Sequence, residues 1–247
     1  MDSNRRTALT AGMLFITATV SILLGTALEP GLNGANYLTR VAANSNQVTG
    51  GALLELIAAF ASAGIAISMH PVLKRWNAGL ALGSVVFRAL EAVMYIAALV
   101  SLLSLLTLSQ EFARAGVADR ASFQAVGDSL LAVRQHAVLA GVFAFSLGAL
   151  SYYYLFFQSR LITRWLSGWG IAAIISMLVA CMLALFSNSP VTGYVLLALP
   201  IAVQEMVLAV WLIVKGFSSA ALQSRPAPQD SLAKSDPKSG SAARSAA

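Results

Sequence analysis

The chain has 247 residues, of which 58% are hydrophobic and only 11% are charged, and its mean hydropathy is +0.76. An ordinary soluble domain carries about 25% charged residues, so this composition excludes such a domain and indicates a membrane protein. The single cysteine, Cys181, excludes an intramolecular disulfide.

Six apolar runs are long enough to cross a bilayer, whose core needs about 20 apolar residues per helix. They cover residues 8–28, 52–69, 78–108, 137–157, 168–186 and 191–214. Helices are implied because no backbone polar group can stay unpaired in lipid, and the alternating short strands of a barrel do not occur. The sequence therefore predicts an all-α polytopic bundle of six transmembrane helices within residues 1–217, with the lipid bilayer as its partner.

The distribution of charge between the loops predicts the orientation of this bundle. With both termini in the cytoplasm, the inner segments and the tail hold eleven basic and three acidic residues, whereas the outer loops hold four of each. Short cytoplasmic segments are enriched in lysine and arginine, which favours this orientation. The net charge of +6 then indicates topology and contact with anionic lipids, and we expect no nucleic-acid partner.

The two ends of the chain differ in character. Arg5 and Arg6 precede the first apolar run, as they would in a secretory or twin-arginine signal. A signal core spans about 7–15 residues, so we interpret the longer run as the first, uncleaved helix. Residues 218–247 are rich in serine, alanine, proline and lysine and lack apolar periodicity, which predicts a disordered cytoplasmic tail.

Two outer segments carry apolar residues. In the first loop, Tyr37, Leu38 and Val41 are expected to form a short interfacial turn. In the largest loop, helical spacing predicts an amphipathic helix over residues 119–136, with Asp119 as its cap and apolar positions at Phe123, Val126, Leu130 and Val133. This helix is expected to feed into the fourth span, and it is interpreted as lying on the bundle or membrane surface. The alternative is a lid over a pocket that opens to the outside.

Charged and polar residues inside the apolar runs are the candidate functional residues. Ionisable side chains are rare at such depth and almost always face partners rather than lipid. Arg88 and Glu91 are three residues apart, so they share one helix face. We expect the glutamates of the other runs to meet them in one buried cluster, which comprises Glu55, Arg88, Glu91, Tyr95, Gln204 and Glu205.

The leading interpretation of this cluster is structural. Arg88 is expected to bridge Glu91 on its own helix and Glu205 on the sixth, because the planar guanidinium can engage two carboxylates. Such a contact fixes helix register, although burying ions costs several kcal/mol each and gives little net stability. The protein would then be a non-enzymatic structural or accessory membrane protein.

Two alternatives remain open. One arginine cannot neutralise three carboxylates, so at least one glutamate is expected to hold a proton or a cation. This suits a proton-linked carrier or a sensor of a small polar ligand, with Glu55 as the entry group. A membrane-embedded acid–base enzyme is the second alternative. We predict no enzyme, since nucleophile–base pairs, catalytic motifs and clustered metal ligands are missing, and we predict no cofactor and no metal.

Several short segments also carry a family resemblance. They include Phe87–Arg88–Ala89–Leu90–Glu91 and residues 205–217, and the others are residues 6–9, 51–55, 70–74, 153–155 and 164–167. On these segments, residues 6–217 resemble an uncharacterised bacterial family of integral membrane proteins, domain of unknown function 4386. Thr163 departs from the pattern, which has proline before Arg164. The resemblance implies a multi-pass protein of the bacterial cytoplasmic membrane and brings no activity with it.

Overall fold

A computed structural model describes residues 3–32, 34, 36–116 and 119–224. Within these residues the backbone forms eight α-helices and no β-strand, which confirms the all-α prediction. A 3-10 helix, Val191–Tyr194, precedes the seventh helix. The α-helices are α1 (Ser3–Leu28), α2 (Tyr37–Ala43), α3 (Ser45–Leu73), α4 (Ala78–Arg114), α5 (Arg120–Ser159), α6 (Arg164–Ser187), α7 (Val195–Val214) and α8 (Ser219–Gln223).

Six helical segments of the described chain are long and apolar enough to cross a membrane, as predicted. They are α1, α3, α4, α5, α6 and the continuous stretch from the 3-10 helix through α7. The protein is therefore a multi-pass integral membrane protein. Each of these segments packs against the next one along the chain, and α7 packs back against α1, so that the six form a closed ring.

Glycines allow α1 to pack closely on both of its neighbours in the ring. A Cβ added at Gly12 would lie 2.8 Å from the backbone oxygen of Ala209 on α7. Where α1 crosses α3, a Cβ at Gly25 would lie 3.1 Å from the backbone oxygen of Gly51. Small residues let membrane helices approach until backbone meets backbone, and at Gly12 this contact closes the ring.

The start of α1 and the end of α7 lie at the same end of the ring. Arg5 donates hydrogen bonds to the backbone oxygens of Leu212 (3.1 Å) and Ile213 (2.6 Å), which are among the last carbonyls of α7. These carbonyls have no partner within their own helix, and a cation suits the negative end of the helix dipole. We call this end the basic end, because its described residues include several arginines and lysines, such as Lys74 and Lys215, and no aspartate or glutamate.

Two helices that reach the opposite, distal end are longer than a bilayer core is thick. Helices of 37 and 40 residues, α4 and α5, are about 55 and 60 Å long, whereas a bilayer core is about 30 Å thick. Their distal ends pack with α2 around a separate apolar core that includes Leu38, Leu102 and Leu105. The Tyr37 hydroxyl donates a hydrogen bond to Asp128 (2.8 Å), which joins α2 to α5. Burial and the neighbouring Asp128 carboxylate raise the pKa of Tyr37 above its usual value.

The structure refines the predicted helix boundaries in two places. The amphipathic segment at residues 119–136 is predicted to feed into the fourth span, and the structure joins the two in one continuous helix, α5, since no proline interrupts residues 120–159. Part of the segment predicted to be disordered is helical. Helix α8 is capped by Ser218, whose hydroxyl accepts from the Ala221 N–H (3.4 Å), and Ala221 is buried against the main core. The rest of the predicted disordered tail, residues 225–247, lies outside the described residues.

Candidate functional site

The structure divides the predicted polar residues between two clusters at different depths. Glu55 lies with Glu29 and Arg134, which we call the Arg134 cluster. Arg88 and Glu91 lie nearer the basic end, with Ser62 of α3 beside them. Ser62 follows Glu55 by seven residues, which is about 10 Å along the helix. The expectation that Glu55 meets Arg88 and Glu205 is therefore not met, because two helical turns separate them.

Arg134 on α5 is the centre of the first cluster. Its guanidinium grips the Glu55 carboxylate of α3 through two hydrogen bonds, from Nη1 to Oε2 (3.1 Å) and from Nη2 to Oε1 (2.6 Å). Nη2 also donates to Glu29 Oε1 (2.6 Å), directly after α1, and Nη1 donates to the Ala98 backbone oxygen of α4 (3.2 Å). One side chain therefore joins four neighbouring segments of the ring.

The Arg134 cluster carries one more negative charge than positive charge if all its groups are ionised. Burial is the main cause that raises the pKa of Glu29 from its usual 4.5 to about 7; the Arg134 guanidinium opposes this rise, and the nearby Glu55 carboxylate adds to it. Both groups are largely buried, since the Glu29 side chain is 10% exposed and that of Glu55 is 11% exposed. The Glu29 carboxyl therefore changes its protonation state near neutral pH.

The second cluster is centred on Arg88 of α4, which is 2% exposed. Its Nε lies 3.2 Å from Glu91 Oε2, and it donates a hydrogen bond of 3.4 Å to the Ser62 backbone oxygen. The guanidinium lies over the Phe145 ring of α5, 4.8 Å from its centroid. Gly148 provides the room, since a Cβ there would lie 3.1 Å from Arg88 Cγ.

Glu205 of α7 reaches the same interior from the other side of the ring. Its Oε1 accepts a hydrogen bond from the Tyr152 hydroxyl of α5 (3.2 Å), and its charge acts on Arg88. No ion pair within 4.0 Å joins it to Arg88 or to any other described residue. Of the two contacts expected for Arg88, the ion pair with Glu91 is formed and the one with Glu205 is not. We call Ser62, Arg88, Glu91, Tyr152 and Glu205 the Arg88 cluster.

The remaining two predicted residues border this cluster. Gln204 accepts a hydrogen bond from the Tyr153 hydroxyl and donates one to the Leu166 backbone oxygen (3.1 Å), so it joins α5, α6 and α7. Tyr95 lies one turn beyond Glu91 on α4, close enough to interact with the charges of the cluster. Its ring packs on Gly141, where a Cβ would lie 2.8 Å from Tyr95 Cε1. Tyr95 therefore occupies the level between the two clusters.

The two clusters differ in how completely their polar atoms are bonded. In the Arg134 cluster, both Nη1 and Nη2 of Arg134 donate hydrogen bonds. In the Arg88 cluster, three buried atoms have no hydrogen-bond partner among the described residues, namely Ser62 Oγ, Arg88 Nη1 and Glu91 Oε2. The Ser62 hydroxyl lies beside the Glu91 carboxylate. Such atoms are rare in protein interiors, and they often mark sites of function.

Neither cluster has the composition of a metal site, because no group of three or more potential metal ligands among histidine, cysteine, aspartate and glutamate occurs in the described chain. The arrangement instead holds one guanidinium and two carboxyl groups in each cluster. It can exchange a proton, and in the Arg88 cluster it can offer hydrogen bonds to a small polar molecule.

Sequence reasoning placed Glu29 and Arg134 in the outer loops and missed their role. A signal for Arg134 exists, since Gly127, Arg134, Gly141 and Gly148 recur every seven residues and are all buried on one face of α5. A helix face of glycines is a packing face, so an arginine within it points inward. The burial of Glu29 has no comparable signal, because it depends on how the chain leaves α1.

Comparison with known proteins agrees with the resemblance seen in the sequence. A family model described as a domain of unknown function (DUF4386) matches residues 10–216. No curated protein and no solved structure matches the chain. The protein therefore belongs to the DUF4386 family, as a multi-pass integral membrane protein in which two buried arginine–glutamate clusters lie one above the other.

Proposed function

We propose that this protein is a non-enzymatic, proton-linked carrier or sensor, and that the Arg88 cluster is the site at which the proton, or a small polar ligand, is exchanged. The observation that carries this proposal is the position of Glu205. It faces the same interior as Arg88, yet Arg88 pairs with Glu91, and Glu205 is left with a hydrogen bond from Tyr152.

Charge balance supports exchange at Glu205. With both carboxyl groups ionised, the Arg88 cluster carries one uncompensated negative charge within a membrane-length bundle. An uncompensated buried charge costs several kcal/mol, and a proton or a cation removes that cost. Glu205 is the better exchange group, since it forms no ion pair with a described residue, whereas Glu91 is paired with Arg88. Uptake and release of one proton then switch the cluster between neutral and negative states.

The unpartnered atoms of the cluster support the ligand-binding part of the proposal. Ser62 Oγ and Arg88 Nη1 can donate hydrogen bonds, and Glu91 Oε2 can accept one. A small polar molecule that complements this set would bind between α3 and α4. No nucleic acid is proposed as a partner.

Infrared difference spectroscopy tests the proposal directly. We expect protein reconstituted in lipid to show a protonated carboxyl C=O band that changes with pH and disappears in Glu205→Gln. Glu111→Gln is the matched control, since the Glu111 side chain is 56% exposed and lies on the distal end of α4. The proposal fails if Glu205→Gln leaves every pH-dependent carboxyl band unchanged.

A structural function is the second candidate, and the Arg134 cluster favours it. Its bidentate contact and its bonds to Glu29 and Ala98 have the geometry of a clamp between helices. A protein that serves only as a structural or accessory component would need this clamp and no exchangeable group. The infrared experiment separates the two candidates, because the clamp predicts no band that depends on Glu205.

We further propose that both termini face the cytoplasm of a bacterium and that the protein lies in its cytoplasmic membrane. The concentration of arginine and lysine at the basic end supports this orientation. In intact cells, a membrane-impermeant maleimide is expected to label Glu111→Cys at the distal end and not Lys74→Cys at the basic end. The reverse labelling pattern would overturn the orientation.

A further inference from the structure

A cavity of about 500 Å³ opens at the basic end, away from both clusters. It lies where α5 ends, α6 begins and the chain passes from α7 to α8. Ligand pockets commonly measure about 300–1,000 Å³, so this cavity has the size of a binding site. Its lining consists of residues 160–164, Trp211 and residues 215–219.

Among the described residues, the lining carries three cations and no acidic residue. They are Arg160, Arg164 and Lys215, and none of them forms an ion pair with a described residue. Two are held over aromatic rings, since Lys215 Nζ lies 4.3 Å from the Trp211 ring centroid and Arg164 Cζ lies 5.4 Å from that of Phe157. Cation–π contacts fix the position of a charge without neutralising it. The cavity is therefore a preformed positive site.

Neutral hydrogen-bond donors line the same cavity. The Thr163 hydroxyl oxygen is buried and has no hydrogen-bond partner among the described residues, although Thr163 occupies the N-cap position directly before α6. The positive end of the α6 dipole adds to the three side-chain charges. Ser218 and Ser219 are also among the lining residues. Hydroxyls, guanidinium groups and an ammonium together match the oxygens of a phosphate group.

Exposed apolar side chains directly follow or precede two of the lining cations in the sequence, at Trp165 after Arg164 and at Val214 before Lys215. Trp165 is 57% exposed and Val214 is 67% exposed, on helices that cross the membrane. Trp165 stacks on Trp169, with ring centroids 6.2 Å apart, and tryptophan is enriched where membrane meets water. The cavity therefore lies at the level of lipid headgroups, with surfaces for acyl chains beside it.

We propose that this cavity binds a phosphate group, presented by an anionic phospholipid or by a free phosphate compound. Its positive side chains engage the phosphate oxygens, and the unpartnered Thr163 hydroxyl supplies a further hydrogen bond. This site is separate from the proposed proton-exchange site, and neither proposal depends on the other.

Thermal unfolding of the whole protein in dodecyl maltoside tests the inference. Dioleoyl phosphatidylglycerol is expected to raise the midpoint of the parent, whereas dioleoyl phosphatidylcholine, which has no net charge, is not. The double variant Arg164→Gln with Lys215→Gln should lose most of that shift. The control Lys74→Gln with Arg75→Gln removes the same charge from the same end outside the cavity, and it should keep the shift.

The outcomes identify the source of the phosphate. If inorganic phosphate at matched ionic strength stabilises the parent as the lipid does, the site takes free phosphate compounds. If only the lipid does, the site takes a headgroup. The inference is overturned if neither probe stabilises the parent, if the cavity variant keeps the shift, or if both double variants lose it equally, since diffuse charge attraction would then suffice.

A second measurement uses the parent alone, in case the cavity variant does not fold. Acylation of lysine amines is followed by mass spectrometry with and without phosphatidylglycerol. The lipid should slow the modification of Lys215 in the cavity much more than that of Lys74, which is exposed at the same end. Equal protection of the two lysines would overturn the inference.

Discussion

Removal of the Arg134 guanidinium should be among the most destabilising single changes in this protein. In Arg134→Gln, the Glu55 and Glu29 carboxylates and the Ala98 carbonyl lose their shared donor. The two carboxyl groups remain in a site where the side chains are about one-tenth exposed. Breaking a buried ion pair by removing one partner costs about 3–5 kcal/mol, because the other charge stays buried and uncompensated. For a chain of this size, that loss lowers the unfolding midpoint by roughly 10 °C.

The assay is thermal unfolding in mild detergent, followed by tryptophan fluorescence, with Arg114→Gln as the matched control. Arg114 also pairs with a glutamate, Glu111 (3.1 Å), but the two side chains are 76% and 56% exposed. Exposed pairs of this kind contribute about 0–1 kcal/mol, so the control should unfold close to the parent. The triple variant Arg134→Gln, Glu55→Gln and Glu29→Gln should regain much of the loss, since no buried charge remains. If Arg134→Gln is as stable as Arg114→Gln, the cluster is not a clamp.

Two further predictions concern Glu29 in the Arg134 cluster and the charged residues of the Arg88 cluster. Because the pKa of Glu29 is raised from 4.5 to about 7 on folding, its contribution to stability is largest below pH 4.5 and is lost as pH rises from 4.5 to 7. Glu29→Gln should therefore reduce the decline in unfolding midpoint across that interval, and an unchanged pH profile would contradict the shift. In the Arg88 cluster, Arg88→Gln should cost about 3–5 kcal/mol since it leaves the ion-paired carboxylate unpaired, whereas Glu205→Gln should equal or exceed the parent in stability. Equal losses in the two variants, largely restored in the double variant, would instead identify Glu205 as a structural partner of Arg88.

The two clusters suggest a division of roles within one bundle. Each contains one arginine and two glutamates. In the Arg134 cluster both Nη1 and Nη2 of the arginine donate hydrogen bonds. In the Arg88 cluster three buried atoms form no hydrogen bond with a described residue, although one of them, Glu91 Oε2, belongs to the ion pair with Arg88. A fully bonded network stabilises one arrangement of helices. An incompletely bonded one retains capacity for a proton or a ligand, which is the basis of the proposed function.

The sequence predicted the membrane helices well, because this property depends on local composition. A run of about 20 apolar residues satisfies its own backbone hydrogen bonds as a helix and matches the bilayer thickness wherever it stands in the chain. The pairing of Arg88 with Glu91 was predictable for the same reason. The two residues are three positions apart on one helix, and this spacing places their side chains next to each other. Family membership likewise followed from short segments of the chain.

Only the tertiary structure decided which charges meet. Glu55 lies in an apolar run, yet its partner Arg134 is 79 residues away and was assigned to a loop from the sequence. Which charged residues pair depends on the order of the helices around the ring and on the depth to which each helix is inserted. The composition of the sequence does not closely constrain this order or these depths. The cavity at the basic end has the same origin, since its cations lie on segments 160–164 and 215–219 that only the closure of α7 onto α1 and α6 brings together. Local composition thus determined that this chain has six helices able to cross a membrane, and long-range packing determined where its buried charges and its basic cavity lie.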